Sequence, residues 1–387
     1  MDALSAVVFN SPHRDINFES SGNVRSYAWE KTMRPAAGGV LVVLSIIALV
    51  AVVAGAPAGQ SPGGSPNAPG ADMNGPYDPV PNWYKPIHPG TLQCGSGVAA
   101  ESANRIYVVT EVEVPAGHQG ACTPERYKPG AHSHNILVLD GNGNVVEDWK
   151  QWDNLFGYGH AIRLNPYDPA HLWIVNRDVH QVHEFTRDGK QLVLTLGWEL
   201  RHPGNDERHF NMPSDIAFLP DGSFFVSDGY ENSRVVKFDK NGKYMFAWGT
   251  FGSGPGEFKV PHGVAVDGQR RVYVADRDNA RVQIFDEHGH YIDEWRNIHG
   301  PAHILATKDG AVWVMTLQSR RMLKYDLSGH LLTSWGVDNA PPGNFAGGHQ
   351  FSIDPAGNLY IANYRQGVLK FVPKPGADKS RLIGQPY

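Results

Sequence analysis

Apolar residues in this chain fall into short runs closed by Asp, Asn or Gly, and between Asn211 and Trp295 one such pattern is written twice. The first copy reads Met212-Pro-Ser214-Asp-Ile-Ala-Phe, Phe225-Val-Ser-Asp228-Gly-Tyr230, Arg234-Val-Val-Lys-Phe-Asp and Gly242-Lys-Tyr-Met-Phe-Ala-Trp248. The second reads Val260-Pro-His262-Gly-Val-Ala-Val, Tyr273-Val-Ala-Asp276-Arg277, Arg281-Val-Gln-Ile-Phe-Asp and Gly289-His-Tyr-Ile-Asp-Glu-Trp295. β-Branched and aromatic residues fill the runs, which suits packed strands, and the polar separators supply tight turns. Each copy is therefore expected to fold as a four-stranded antiparallel meander.

A self-similar unit of about 40–50 residues made of four strands is one blade of a β-propeller. Register counts the blades. The residue ten places before the second strand's apolar run opens the first strand: Ser214 before Phe224, His262 before Val272, His349 before Leu359. The same step leads from Val312 to Ala302 and from Ile106 to Ser96. With a two-residue insertion in Asn165–His171 it leads from Leu172 to His160. Six copies follow, so residues 79–387 are expected to form an all-β, six-bladed β-propeller of about fifty residues per blade.

Composition agrees. Among 387 residues are 43 Gly, 28 Pro and 10 Trp, as an all-β repeat protein with many turns needs. The net charge of −5 is spread along the chain with no long basic run, which argues against nucleic acid as a partner. Two cysteines, Cys94 and Cys122, cannot build a disulfide scaffold or a four-thiolate zinc site. In an oxidising compartment they could close a loop worth ~3 kcal/mol.

Ahead of the repeats the pattern changes. Residues 1–39 are a polar tail with Arg14, Arg25, Lys31 and Arg34, and residues 40–56 are uncharged and almost wholly apolar. A membrane span needs ~20 apolar residues, so this hydrophobic helix is short for one. It reads either as a single-pass anchor or as a signal peptide beginning at Met33, cleaved near Ala54-Gly-Ala56 or Ala56-Pro-Ala58. No Lys or Arg recurs before Lys85, so both readings place the propeller outside the cytoplasm, exported and then either anchored or released. Residues 57–78 are a Pro/Gly/Ser-rich linker that cannot bury a core.

The register carries chemistry. The first strand of each blade lines the central channel, and the positions at its start alternate: Ser96, His160, Ser214, His262, Ala302, His349. Equivalent positions on alternate blades of a six-fold ring form a three-fold set. Three imidazoles converging on the axis match the three-histidine set of a catalytic zinc site, which leaves a position open for substrate. Other histidines fit less well. His303 is one residue out of register and reads as structural, His180 and His183 are expected to face opposite ways, and His132 and His134 are expected to be solvent-exposed in a long loop. Gly252-Ser-Gly-Pro-Gly256 looks like a phosphate loop but occupies an inter-blade joint with no helix after it.

The repeats resemble NHL repeats, and residues 92–372 resemble the catalytic core of peptidyl-α-hydroxyglycine α-amidating lyase. Gly159-His160-Ala-Ile, Val179-His-Gln-Val, Met212-Pro-Ser-Asp-Ile-Ala, Ser227-Asp-Gly-Tyr230-Glu-Asn-Ser-Arg234, Val260-Pro-His262 and Val274-Ala-Asp-Arg277-Asp-Asn-Ala-Arg281 carry the likeness. The resemblance implies a channel zinc on His160, His262 and His349, a catalytic tyrosine at Tyr230 with Arg277 beside it, and a substrate-carboxylate arginine. Counting back from Ile136 places that arginine at Arg126. The other repeats put Arg177, Leu317 and Tyr364 in the slot of Arg277, so arginine there is not a demand of the fold.

The reaction so implied splits a peptidyl- or N-acyl-α-hydroxyglycine, a carbinolamide, into an amide and glyoxylate. Such a reaction needs a Lewis acid on the hydroxyl oxygen, a base for its proton and a cation for the carboxylate. A tyrosine serves as base only with its pKa brought below ~10, which a neighbouring guanidinium favours. The sequence also departs from that family. Its calcium-ligating acid is Gln350 here, which puts calcium in doubt, and Asn211, Glu231, Tyr273 and Ile284 replace the family's cysteines. No hydroxylating domain accompanies the repeats, so the substrate is expected either to come from a separate hydroxylating enzyme or to be a different small carbinolamide. A non-enzymatic NHL propeller that binds protein or glycan is the alternative. A metal-dependent lactonase on the same architecture would want carboxylate ligands, which the channel register lacks.

Overall fold

The computed structural model describes residues 73–115, 133–337, 348–364 and 366–387. The tail 1–39, the apolar stretch 40–56 and all but the end of the linker 57–78 lie outside the described residues. Among the described residues no helix is long and apolar enough to cross a membrane.

Six four-stranded antiparallel sheets form the six blades. Their innermost strands are Thr91–Ser102, Gly159–Leu164, Asp215–Phe218, Pro261–Val266, Pro301–Thr307 and Gly348–Ile353. In blades one to five the next three strands follow in sequence. Blade six closes the ring differently: its outer strand is Tyr77–Pro79, paired with Gly367–Pro373, so the first and last strands among the described residues share one sheet. Chain ahead of Pro79 thus takes part in the fold. Tyr77 is fully buried, and Asn74 donates from its backbone to Gly336 O in blade five.

The apolar runs are continuous because the middle strands are covered on both faces. Phe224 and Val226 pack toward blade two with Trp173, Val175 and Val182, while Phe225 between them packs toward blade four with Val272, Val274 and Phe285. Six such clusters lie between neighbouring blades, and the centre of the ring is left to polar side chains.

Each Asp that ends a second strand is a structural pin. Asp276 is fully buried and accepts from Lys259 N (2.7 Å), Asn279 Nδ2 (2.8 Å) and Arg281 Nε (2.7 Å). Asp228 does the same with Asn211 N, Asn232 Nδ2 and Arg234 Nε. A buried carboxylate with its partners all supplied fixes the turn that follows, and removing one partner of such a pair typically costs about 3–5 kcal/mol. These turns carry Tyr230 and Arg277. The joint at Gly252–Gly256 lies between two short parallel strands, Thr250–Phe251 and Glu257–Phe258. Its amides at Ser253 and Gly254 already donate to Glu257 Oε2 (2.9 and 2.8 Å), so the chain's own carboxylate fills the cradle.

At the end of the channel away from the histidines, Arg163 crosses the axis. It forms a two-pronged pair with Asp215 (2.9 and 2.6 Å) and lies 3.5 and 3.4 Å from Val264 O and Ile304 O. A cavity of about 310 Å³ opens below it, lined by the lower ends of the inner strands. None of the candidate catalytic residues lines that cavity.

Candidate metal centre

His160, His262 and His349 converge in the channel, each almost fully buried, with ligand atoms within 4.8 Å of one another. Their ring centroids lie 4.4–5.0 Å apart. Each imidazole is held from behind. Nδ1 of His160 donates to Ser214 O (2.6 Å), Nδ1 of His262 to Ala302 O (2.8 Å) and Nδ1 of His349 to Ser96 O (2.6 Å). The small residues that alternate with the histidines are therefore the acceptors, each from the next blade round the ring. A carbonyl can only accept, so Nδ1 carries the proton and every Nε2 presents a lone pair. Fixing the tautomer from outside in this way is how metal-ligating histidines are oriented.

Burial pushes all three imidazoles far below the ordinary histidine pKa, to about 3 for His349, aided by nearby guanidiniums and, at His160 and His262, by the neighbouring rings. They are neutral, with Nε2 of His160 and His349 only 3.0 Å apart and no proton to share. Tyr230 Oη lies 3.0 Å from Nε2 of His160 and 2.8 Å from Nε2 of His262, but one phenol supplies one proton. Three converging lone pairs and a single donor are a donor set that fits a zinc ion. Calcium does not fit at Gln350. Its Oε1 accepts from Val98 N and Ile162 N and its Nε2 donates to Ile162 O (3.0 Å), so a neutral carboxamide joins blades six, one and two and offers no charge to a cation that wants six to eight oxygens.

Tyr230 belongs to blade three yet reaches His262 of blade four because the turn before it is pressed against that blade. A Cβ at Gly229 would stand 2.1 Å from Pro261 O, so only glycine permits the approach. A backbone clamp sets the height of these turns. The N–H groups of Arg177, Tyr230 and Arg277 donate to Tyr158 O, Met212 O and Val260 O, each two residues before a channel position. Met212 (φ 61°) and Val260 (φ 60°) are left-handed, which for a β-branched valine stores about 1–3 kcal/mol of strain where Arg277 is presented. Arg277 Nη1 comes within 3.4 Å of Tyr230 Oη.

The sequence reading missed part of the surround. Arg177 is buried, stacks 3.7 Å over the Tyr158 ring and 4.8 Å from the Tyr230 ring, and pairs with Asp178 (2.8 Å). Tyr158 lies beside Glu111 and Tyr364, its ring centroid 6.5 Å from that of Tyr364. Glu111, fully buried, sits five residues after Ile106 just as Arg177 and Arg277 sit five after Leu172 and Val272, so the repeat register already marked it. Burial raises the Glu111 carboxyl well above its usual pKa, against the opposing pull of the Tyr158 hydrogen bond and the Arg177 charge.

That shift has a measurable sign. The folded chain keeps a proton that the unfolded chain releases near pH ~4.3, so Glu111 costs stability as pH rises above that point. Glu111→Gln is expected to melt progressively higher than wild type from pH 4 to pH 8, with the two converging at the acid end. A melting difference independent of pH in calorimetry would show an ordinary, ionised carboxylate instead.

The other sequence expectations sort as follows. Arg126 lies outside the described residues. His303 is buried against Phe351 with rings 4.7 Å apart and does not join the triad. His134 is 8% exposed and not a solvent-facing loop residue: Thr110, Asp148 and Asp153 all bind it.

Fold and site define a six-bladed β-propeller with a three-histidine cluster in its channel. A family model described as a 6-bladed β-propeller matches residues 204–311. The rat peptidylglycine α-amidating monooxygenase is 37% identical over 156 residues, 39% of this chain and 16% of that protein. A Drosophila melanogaster peptidyl-α-hydroxyglycine α-amidating lyase is 30% identical over 219 residues, 53% of this chain and 38% of its own length. Human NHL repeat-containing protein 3 is 34% identical over 245 residues, 58% of this chain and 62% of the relative. The chain therefore spans less than two thirds of each relative. A solved streptogramin B lyase shares the fold, with a TM-score of 0.51 at 11% identity, covering 76% of this chain and 97% of that one.

Proposed function

We propose that this propeller is a zinc-dependent lyase that splits an N-acyl- or peptidyl-α-hydroxyglycine into the amide and glyoxylate. One observation carries the reading: Tyr230 Oη stands between Nε2 of His160 and of His262 with the Arg277 guanidinium on it. The likeness to a named amidating lyase supports the substrate class. Zinc held by His160, His262 and His349 would act as a Lewis acid toward the substrate hydroxyl.

The chain's own groups do the rest. In its ionised form, Tyr230 Oη takes the hydroxyl proton. The oxygen's electron pair then forms the C=O of glyoxylate as the C–N bond breaks toward nitrogen. The nitrogen needs one proton to leave as an amide, and the phenol that has just received one returns it, so the phenol is base and then acid. The negative charge that Oη carries before taking the proton, and again after returning it, faces Arg277 at its edge, with the Arg177 guanidinium near the ring face. Arg126 is the candidate for the substrate carboxylate, through a two-pronged arginine–carboxylate contact. The substrate would be supplied by a separate hydroxylating enzyme. Cys94 is disulfide-bonded, and the one other cysteine is Cys122, which supports an exported protein, anchored through residues 40–56 if that segment is uncleaved.

The likeness to NHL repeat-containing protein 3 favours a second reading, a propeller that only binds. One assay separates the two. Zinc-loaded protein given a synthetic N-acyl-α-hydroxyglycine is expected to release glyoxylate well above the buffer rate, and release at the buffer rate refutes the lyase.

A further inference from the structure

A second constellation of ligand-type side chains lies on blade one and shares no residue with the channel triad. The first two strands of this blade, Thr91–Ser102 and Arg105–Pro115, are longer than those of the other blades and pair as far as Thr91 with Pro115. Their extension carries Glu113. His88 stands in the turn before it, closed by Thr91 N and Thr91 Oγ1 donating to His88 O. His134 stands just before the third strand, Ile136–Leu139.

The geometry points to a second divalent-metal site, of the zinc type, formed by His88, Glu113 and His134, with Asp148 orienting His134. An imidazole nitrogen from each histidine and a carboxylate oxygen lie within 4.8 Å of one another. His88 Nδ1 is already 2.8 and 2.9 Å from the two oxygens of Glu113. Tetrahedral zinc with bonds of ~2.0–2.2 Å holds its ligands ~3.3 Å apart, so movement of the half-exposed His88 side chain is the main adjustment needed. Two histidines and a carboxylate are also a known zinc donor set, with a fourth position left for water.

His134 is built as a ligand rather than as a chance neighbour. Its backbone N donates to Asp153 Oδ2 (3.1 Å), its O accepts from Thr110 Oγ1 (2.6 Å), and its Nδ1 meets Asp148 Oδ2 at 2.5 Å. A carboxylate oxygen accepts, so Nδ1 is the donor to Asp148 and Nε2 is the nitrogen left to face a metal. This is the carboxylate–histidine pairing that stands behind ligand histidines. Asp148 Oδ1 is buried without a hydrogen-bond partner among the described residues, an arrangement that a nearby cation offsets.

The test uses the full chain, stripped with chelator and titrated with cobalt(II), whose visible spectrum and stoichiometry report each site. Wild type is expected to bind about two equivalents, His262→Ala about one, and His262→Ala with His134→Ala none, circular dichroism confirming the fold. Asp148→Asn in the His262→Ala background should weaken the remaining site about 10–100-fold. The inference is overturned if His262→Ala binds no metal, or if its remaining metal is indifferent to both His134→Ala and His88→Ala. Failure of the channel reading looks different: there, His262→Ala leaves the wild-type stoichiometry unchanged while His134→Ala lowers it.

Discussion

Tyr230→Phe is expected to lower glyoxylate release by about 10²–10⁴-fold, the usual worth of a positioned acid–base group, while zinc content and melting temperature stay at wild-type values. The argument rests on what the substitution leaves behind. The ring remains between the guanidiniums of Arg177 and Arg277, and the three histidines keep their carbonyl partners at Ser214, Ala302 and Ser96. Only Oη is lost, and with it the group to which the proposed reaction assigns the proton. The comparison is best made in kcat, because a base that acts in the transition state should leave KM nearly unchanged. A Phe variant as fast as wild type would remove the assigned base and leave the channel histidines without a proton acceptor.

His262→Ala is expected to lower bound zinc by about one equivalent per chain and to abolish turnover, because two imidazoles do not hold zinc in a site built for three. His303→Ala is the matching control. It empties an equally buried position on the neighbouring blade and should cost stability through its lost packing on Phe351, yet keep the metal. Metal analysis of the two purified variants decides the matter. Equal zinc in wild type and in His262→Ala would sink the channel site, and zinc lost from both would mean that the ring, not the ligand, had failed.

Much of this was legible because propeller geometry is periodic. A step of ten residues, lengthened to twelve by the insertion in blade two, reports which side chain opens each inner strand, and Ser96, His160, Ser214, His262, Ala302 and His349 came from it. Side-chain identity says nothing about main-chain carbonyls, however. That Ser96, Ser214 and Ala302 fix the histidine tautomers through their C=O groups could not be read, since any small residue offers the same oxygen. Glu111 was hidden for another reason. Its slot follows the second strand in every other blade, but in blade one that strand runs on to Pro115 and no turn marks the place. The closing strand Tyr77–Pro79 is three residues long and ends in proline, too short to show a period of two. His134 looked like a loop residue because nothing in its neighbourhood of sequence announces Asp148 and Asp153 as its partners.

The Arg163–Asp215 pair bears on traffic rather than on chemistry. It lies between the histidines and the cavity at the far end, so passage from one to the other requires that this pair part. In the proposed lyase, substrate, amide and glyoxylate would then share the histidine end of the channel. A product still in that path would hold the next substrate out. For a long peptide amide, whose tail still fills the doorway after the bond is cut, departure rather than cleavage would set the pace.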